Sequence, residues 1–348
     1  MAKVLLHSVT LDDFYPARQP VSPDDPHEGR WMAGAHKLLV ESAGLDPFGV
    51  HSLTNDPAEA DLIIFAELGA EGLFAEWLRH HPWVKKYREK TFVFEVGDST
   101  LPFLPGLYAS LRMGYYGEAR TRTGYYLRLD ENPYIDFRPV PEEPRYLGCF
   151  VGSLANHPVR VELKKIASER VLVQDTSDFA QRMLYLSPEE KARGFWPHYA
   201  DTMASSAFAL CPRGRGPGSI RLFEALMMGR CPLIIADEWV YPKRIDWARC
   251  SLTVAERDIP RIPEILEREL PRATELGLAA RRAWEEFYSP AVRFHWLVED
   301  CLEMLAARRM PEWLAGKQVW GHLLDGKTMR RFLLSKKQIY RETGRVVL

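Results

Sequence analysis

The sequence predicts an α/β protein with parallel sheets in two domains, and three observations carry that expectation. Ala207 to Ala236 runs as an apolar strand, a loop of Gly, Pro and Arg, a helix, and a second apolar strand. That order is a βαβ unit, which builds parallel sheets with ligands at the carboxyl ends of the strands. The first hundred residues alternate short apolar runs with helical stretches in the same manner. At 348 residues the chain is long enough for two ordinary cores.

Taken in order, Lys3 to Val9 (KVLLHSV) reads as the first strand. A polar, Pro-rich loop follows from Asp12 to His27, longer than compact domains usually carry without a functional reason. A helix is expected from Gly29 to Ser42, stopped by Gly44. Strands are expected near Val50 to Leu53, at Asp61 to Ala66 and at Thr91 to Val96, with a helix around Gly72 to His81. His7 and Ser8 end the first strand at a sheet edge where a cleft would lie; a histidine bonded to backbone is the plainer reading there. Glu95 and Asp98 (FEVGDST) also stand at a strand's carboxyl end, before a Pro-rich loop. Two carboxylates there suit a general base for an acceptor hydroxyl. Asp98 ranks first by its loop position and Glu95 second, against the competing reading of a turn aspartate capping its own loop.

Met113 to Tyr134 is rich in tyrosine and arginine. That suits the stacking of sugar rings, and equally the alternating strands of a hairpin, which is slightly preferred. Asn132 to Pro144 carries several prolines and reads as an interdomain linker. Arg145 to Ser153 opens the second domain as a strand, and Arg160 enters a helix from Val159 to Ser168. Val171 to Val173 reads as a short strand, and Pro188 to Ser205 as a helix whose Phe195, Trp196 and Tyr199 suit core packing. Beyond the central unit come a strand from Cys250 to Val254 and helices at Ile262 to Leu270, Pro271 to Tyr288 and Ala291 to Arg309. The expected division is residues 1–140, 141–290, and a set of C-terminal helices with a basic tail, 291–348.

The charges of the central unit point to its chemistry. Ser219 can cap a helix running to Met228, which Gly229 ends. Arg213, Arg215 and Arg221 crowd the amino end of that helix, where the macrodipole is already positive. Three cations there are unfavourable without an anion, and free N–H groups at a helix start suit phosphate. Arg221 and Glu224 are spaced i, i+3 on one face, which suits a nucleotide diphosphate, the arginine on phosphate and the glutamate on ribose hydroxyls. The competing reading is that Arg221 and Glu224 pair with each other while Arg213 and Arg215 are merely solvated.

CPRGRGPGSIRLFEALMMGRCPLIIADEWVYP, followed by IDWARCSLTVAERDIPRIPEIL, resembles the signature of exostosin-like glycosyltransferases, family 47. The resemblance is specific over Phe208 to Leu266 and weaker over Arg145 to Arg160. It implies the GT-B fold: two Rossmann-like doubly wound domains facing a cleft, with C-terminal helices crossing back to the first domain. The first would be the acceptor side and the second the nucleotide-sugar side. It further implies Arg213, Arg215 and Arg221 near the diphosphate, with Gly218 and Ser219 in the same loop, and Glu224 near the ribose. Arg160 matches the arginine at the head of the family's second domain, and either reaches the diphosphate from across the cleft or is a solvated helix residue.

A net charge of −1 argues against a general nucleic-acid binder. The five cysteines lack metal spacing and suit buried thiols in a reducing compartment. The start MAKVLLHSVTLDD reads as a core strand rather than a signal peptide, and no segment is apolar and long enough to span a bilayer. A cytoplasmic location is therefore expected. The tail from Lys317 is basic and interleaved with Phe332, Leu333 and Leu334, so weak peripheral contact with a membrane is one reading; a partly packed basic terminus is preferred.

The expected function is inverting transfer of a sugar from a nucleotide-linked donor, with UDP the first choice, to a hydroxyl of a glycan or lipid-linked glycan. A GDP-sugar transferase and a non-catalytic nucleotide-sugar or glycan binder are the alternatives. No DxD motif stands out, since Asp12-Asp13 and Asp24-Asp25 read as loop charges. No metal and no separate cofactor are therefore expected, with the arginines in place of a divalent ion.

Overall fold

Two parallel sheets organise the chain. The computed structural model describes residues 1–9, 34–67, 76–98, 101–127, 131–178 and 188–343. They divide into a first unit, Met1–Leu129 with Pro290–Leu348, and a second, Asp130–Ser289. The loop expected from Asp12 to His27, and with it Asp12-Asp13 and Asp24-Asp25, lies outside the described residues.

The first sheet contains β1 (Lys3–His7), β2 (Ser52–Leu53), β3 (Leu62–Glu67), β4 (Thr91–Glu95), β5 (Gly106–Tyr108) and β6 (Thr121–Thr123), in the order β2-β1-β3-β4-β5-β6. Every pairing is parallel. β3 and β4 are buried along their whole length, as continuous apolar runs in parallel sheets usually are. Among the described residues of Met113 to Tyr134 the expected hairpin does not form. β5 and β6 run parallel because the short helix Met113–Tyr115 and the turn after it bring the chain round before β6 starts. The helix expected from Gly29 is described as Gly34–Leu45, so it continues through Gly44 rather than stopping there.

The chain after Pro290 belongs to this first unit, and polar contacts hold it there. Arg122 of β6 donates to Asp300 at 2.8 Å and Glu303 at 2.7 Å, both on the helix Arg293–Ala307. Arg120 grips the fully buried Glu312 through Nε and Nη2, and its Nη1 donates to the Pro102 carbonyl at 2.9 Å. A carboxylate buried this deeply is tolerable only with such a bidentate partner.

The second sheet contains β7 (Tyr146–Gly152), β8 (Val171–Asp175), β9 (Ser206–Pro212), β10 (Cys231–Ile235) and β11 (Leu252–Thr253), in the order β11-β10-β9-β7-β8 and again parallel. Its core draws on Leu147, Phe150, Phe208, Leu233 and Leu266. Strand order reverses between β7 and β9, and open α/β sheets bind ligands outside the carboxyl ends at such a reversal. The first sheet reverses between β1 and β3. There the buried Glu67 accepts from the Ser8 hydroxyl at 3.1 Å and the Val9 N–H at 2.9 Å.

Three expectations in this unit need correction. The boundary falls at Asp130 rather than 141, because residues of the supposed linker are packed. Phe137 lies where a Cβ on Gly229 would come within 2.8 Å of its ring. Arg138 bonds Asp201 at 2.9 Å. The strand expected from Cys250 shrinks to Leu252–Thr253, since Trp247–Cys250 is a helical turn closed by Ser251 on the Trp247 carbonyl. The single helix expected from Pro188 to Ser205 is two, Pro188–Ala192 and Phe195–Ala204. Gly229 does end the helix Ile220–Met228, in the left-handed conformation at φ 77°, where a side chain would be strained.

Candidate functional site

The reversal in the second sheet places the loops after β7 and β9 side by side, since Cys149 is opposite Ala209 and Gly148 opposite Phe208. The chain then enters the helix Ile220–Met228 from Ser219, whose extended φ and ψ of −138° and 122° are those of an N-cap. Ser219 is only 6% exposed, makes no capping bond, and its Oγ has no hydrogen-bond partner. An unsatisfied buried hydroxyl carries a desolvation cost of about 1–3 kcal/mol.

Two of the arginines meet at the end of β7. Phe150 is fully buried in β7, with the Arg221 guanidinium 4.2 Å from its ring centroid and that of Arg160 at 5.5 Å. Arg221 also donates through Nη2 to the Val151 carbonyl, while its Nε has no partner. A Cβ on Gly152 would sit 2.7 Å from that Nη2, so the glycine is what lets the guanidinium lie against the strand end. Arg160 donates to the Arg213 carbonyl at 2.8 Å and the Ser153 carbonyl at 3.1 Å. It thus belongs to the second unit's own loops. Arg213 lies 3.4 Å from Glu238 and 3.5 Å from Glu256, and its buried Nε is unpartnered. Arg215 is exposed, and Gly214, Gly216, Pro217 and Gly218 of the same loop are buried.

Glu224 has a partner that the spacing did not suggest. Its Oε2 accepts from the Tyr199 hydroxyl at 2.5 Å. Burial, reinforced by the Glu224 charge, pushes the Tyr199 phenol well above its ordinary range, so it stays a donor at any working pH. Tyr199 was assigned to core packing, and it is indeed buried. Its contact with Glu224 crosses 25 positions of sequence and no local pattern reveals it. Burial also raises the thiols of Cys149 and Cys211, which keeps them protonated and inert.

Glu95 and Asp98 stand in the first unit. Glu95 is buried at the end of β4, opposite Glu67 of β3, and accepts from the Gly97 N–H at 2.7 Å. Asp98 is exposed, and its Oδ1 accepts from the Tyr126 hydroxyl at 2.8 Å; that hydroxyl is 2.6 Å from Ser110 Oγ. Glu67 went unnoticed in the sequence because IIFAELGAEG offers two glutamates and nothing to rank them.

Residues 136–268 match the family model of the Exostosin GT47 domain. That stretch is similar to the exostosin GT47 domain. It contains Arg160, Arg213, Arg215, Gly218, Ser219, Arg221 and Glu224, while Glu95 and Asp98 lie outside it. Three curated relatives are similar to part of this chain. An Exostosin-1 homolog of Caenorhabditis elegans is 40% identical over 92 residues, 26% of this chain and 24% of that protein. A probable glucuronosyltransferase of Oryza sativa subsp. japonica is 29% identical over 167 residues, 47% and 37% of the two chains. A probable glucuronoxylan glucuronosyltransferase of Arabidopsis thaliana is 32% identical over 160 residues, 45% and 34%. The aligned part thus spans about a quarter to two fifths of these relatives' own length. Among solved structures, MurG of Acinetobacter baumannii aligns with a TM-score of 0.39 at 10% identity, over 87% of this chain and 100% of that one. The matched residues lie within the second unit, Asp130–Ser289.

Proposed function

We propose that the exostosin-like chain is an inverting glycosyltransferase that moves a sugar from a UDP-linked donor to a hydroxyl of a glycan or lipid-linked glycan. One observation carries the donor half: Ser219 Oγ and Arg221 Nε are buried and unpartnered at one helix start, and Arg213 Nε is buried and unpartnered in the loop that leads to it. Three donors beside a positive macrodipole suit a diphosphate. Relatives named glucuronosyltransferases support transfer of this class. As the sugar bond breaks, negative charge grows on the leaving diphosphate, where fixed guanidinium groups lower the barrier most. The acceptor's proton goes to a carboxylate, assigned first to Asp98 and second to Glu95.

Binding is tested most simply. UDP or a UDP-sugar at a hundred times its dissociation constant should stabilise the native protein by about 2.7 kcal/mol, read as a rise in melting temperature beside GDP- and CMP-sugars. A GDP-sugar shifting the transition where UDP-sugars do not would move the donor to the other class. A panel with no effect at all would remove the donor site.

The charge balance makes a separate prediction. With arginines neutralising the diphosphate, transfer should persist in EDTA. Activity lost on chelation and restored by manganese would place a divalent ion on the phosphates instead.

A further inference from the structure

The last helix, Gly326–Thr343, carries six basic residues (Lys327, Arg330, Arg331, Lys336, Lys337 and Arg341) against one acid, Glu342. Its placement sorts its residues. Phe332 packs against the cluster of Leu101, Phe103 and Val319 and meets the Trp320 ring edge-on at 6.1 Å. On the other side Leu333 is 60%, Leu334 55% and Tyr340 56% exposed, and Arg330, Lys337 and Arg341 are exposed as well. At 3.6 residues per turn these six share an arc of about 120°. No acid lies among the described side chains of that arc, and the helix is too polar to cross a bilayer.

We infer that this face docks the protein onto an anionic lipid surface. Cations alone would fit any soluble polyanion, and leucines alone any apolar groove. Leucine and tyrosine interleaved with lysine and arginine on one arc match a surface that is negative at its headgroups and apolar just beneath. Trp320, which borders the helix through Phe332, is 40% exposed, and tryptophan favours the same boundary. The inference stands apart from the transferase function, since it uses no residue of the second unit.

The test is sedimentation of the full-length protein with vesicles of phosphatidylcholine alone and of phosphatidylcholine mixed with phosphatidylglycerol. Binding is expected to the mixed vesicles only, and to weaken as salt rises. The combined variant Arg330→Glu, Lys337→Glu, Arg341→Glu should lower partitioning about a hundredfold. Leu333→Ser with Leu334→Ser should lower it about tenfold or more at unchanged charge. All five positions are exposed, so melting temperatures should hold; wild-type salt dependence and Lys337→Glu alone give the same answer without the combined variant. No sedimentation with either lipid at low salt overturns the inference. So does binding that both variants retain, which would place the contact elsewhere. Capture by soluble polyglutamate that ignores the leucine changes would assign the face to an acidic polymer.

Discussion

Arg230→Met should destabilise the second unit by roughly 3–5 kcal/mol, the largest stability effect expected here. Arg230 is fully buried, and all its donors reach backbone carbonyls. Nε meets Met203 at 3.2 Å, Nη1 meets Arg138 at 2.5 Å and Gly229 at 3.2 Å, and Nη2 meets Pro139 at 3.1 Å and Ala204 at 2.6 Å. Met203 and Ala204 close the helix Phe195–Ala204, where carbonyls otherwise lack partners. One side chain therefore caps a helix and straps residues 138–139 onto the unit. Burial lowers its pKa to about 10, which leaves it charged near neutral pH. Methionine fills similar space and satisfies no carbonyl. Arg138→Ala is the control, because Arg138 forms ion pairs with Asp136 and Asp201 at the surface and should cost under about 1 kcal/mol. Urea melts of both variants decide it, and an Arg230→Met loss no greater than the control's would show the strap to be dispensable.

Arg230 also marks where sequence reasoning ran short. Nothing in MMGRCPL marks the arginine as buried, and the prolines of Asn132 to Pro144 look like a linker. The linker inference is overturned because the supposed linker supplies carbonyls for the buried arginine. What was legible rested on short-range rules. Apolar runs of five to seven residues gave β9 and β10, and Gly229 gave the helix stop. The hairpin expected near β6 failed because composition does not distinguish parallel from antiparallel pairing.

The candidate site divides along the same line. Crowded arginines and a capping serine at a helix start are a local pattern, and the structure does bring Arg160, Arg213, Ser219 and Arg221 to the ends of β7 and β9. Their partners are tertiary and were hidden: Phe150 under two guanidinium groups, and Tyr199 on Glu224. Glu67 was hidden for the same reason, since only the reversal of strand order gives its position meaning.

Arg221 and Glu224 should separate cleanly in kinetics. Arg221→Ala is expected to weaken diphosphate binding and slow transfer, because charge grows on the leaving oxygen. A charge-assisted hydrogen bond is worth roughly 1.5–3 kcal/mol, or about ten- to a hundredfold in rate constant. Glu224→Gln should raise the donor's KM with little change in kcat, since ribose contacts hold ground and transition states alike. The geometry refines both expectations. Arg221 donates to the Val151 carbonyl and is 7% exposed, so alanine also leaves that carbonyl unpaired and some stability is lost. Arg221→Lys keeps the charge without the planar fork and should bind donor better than alanine while still transferring slowly. Glu224→Gln keeps an acceptor for Tyr199, so its melting temperature should stay near that of the native protein. Circular dichroism melts beside steady-state kinetics resolve the two roles. If Arg221→Ala and Glu224→Gln lose stability together while the folded fraction keeps normal donor affinity, both side chains serve only the core of the second unit.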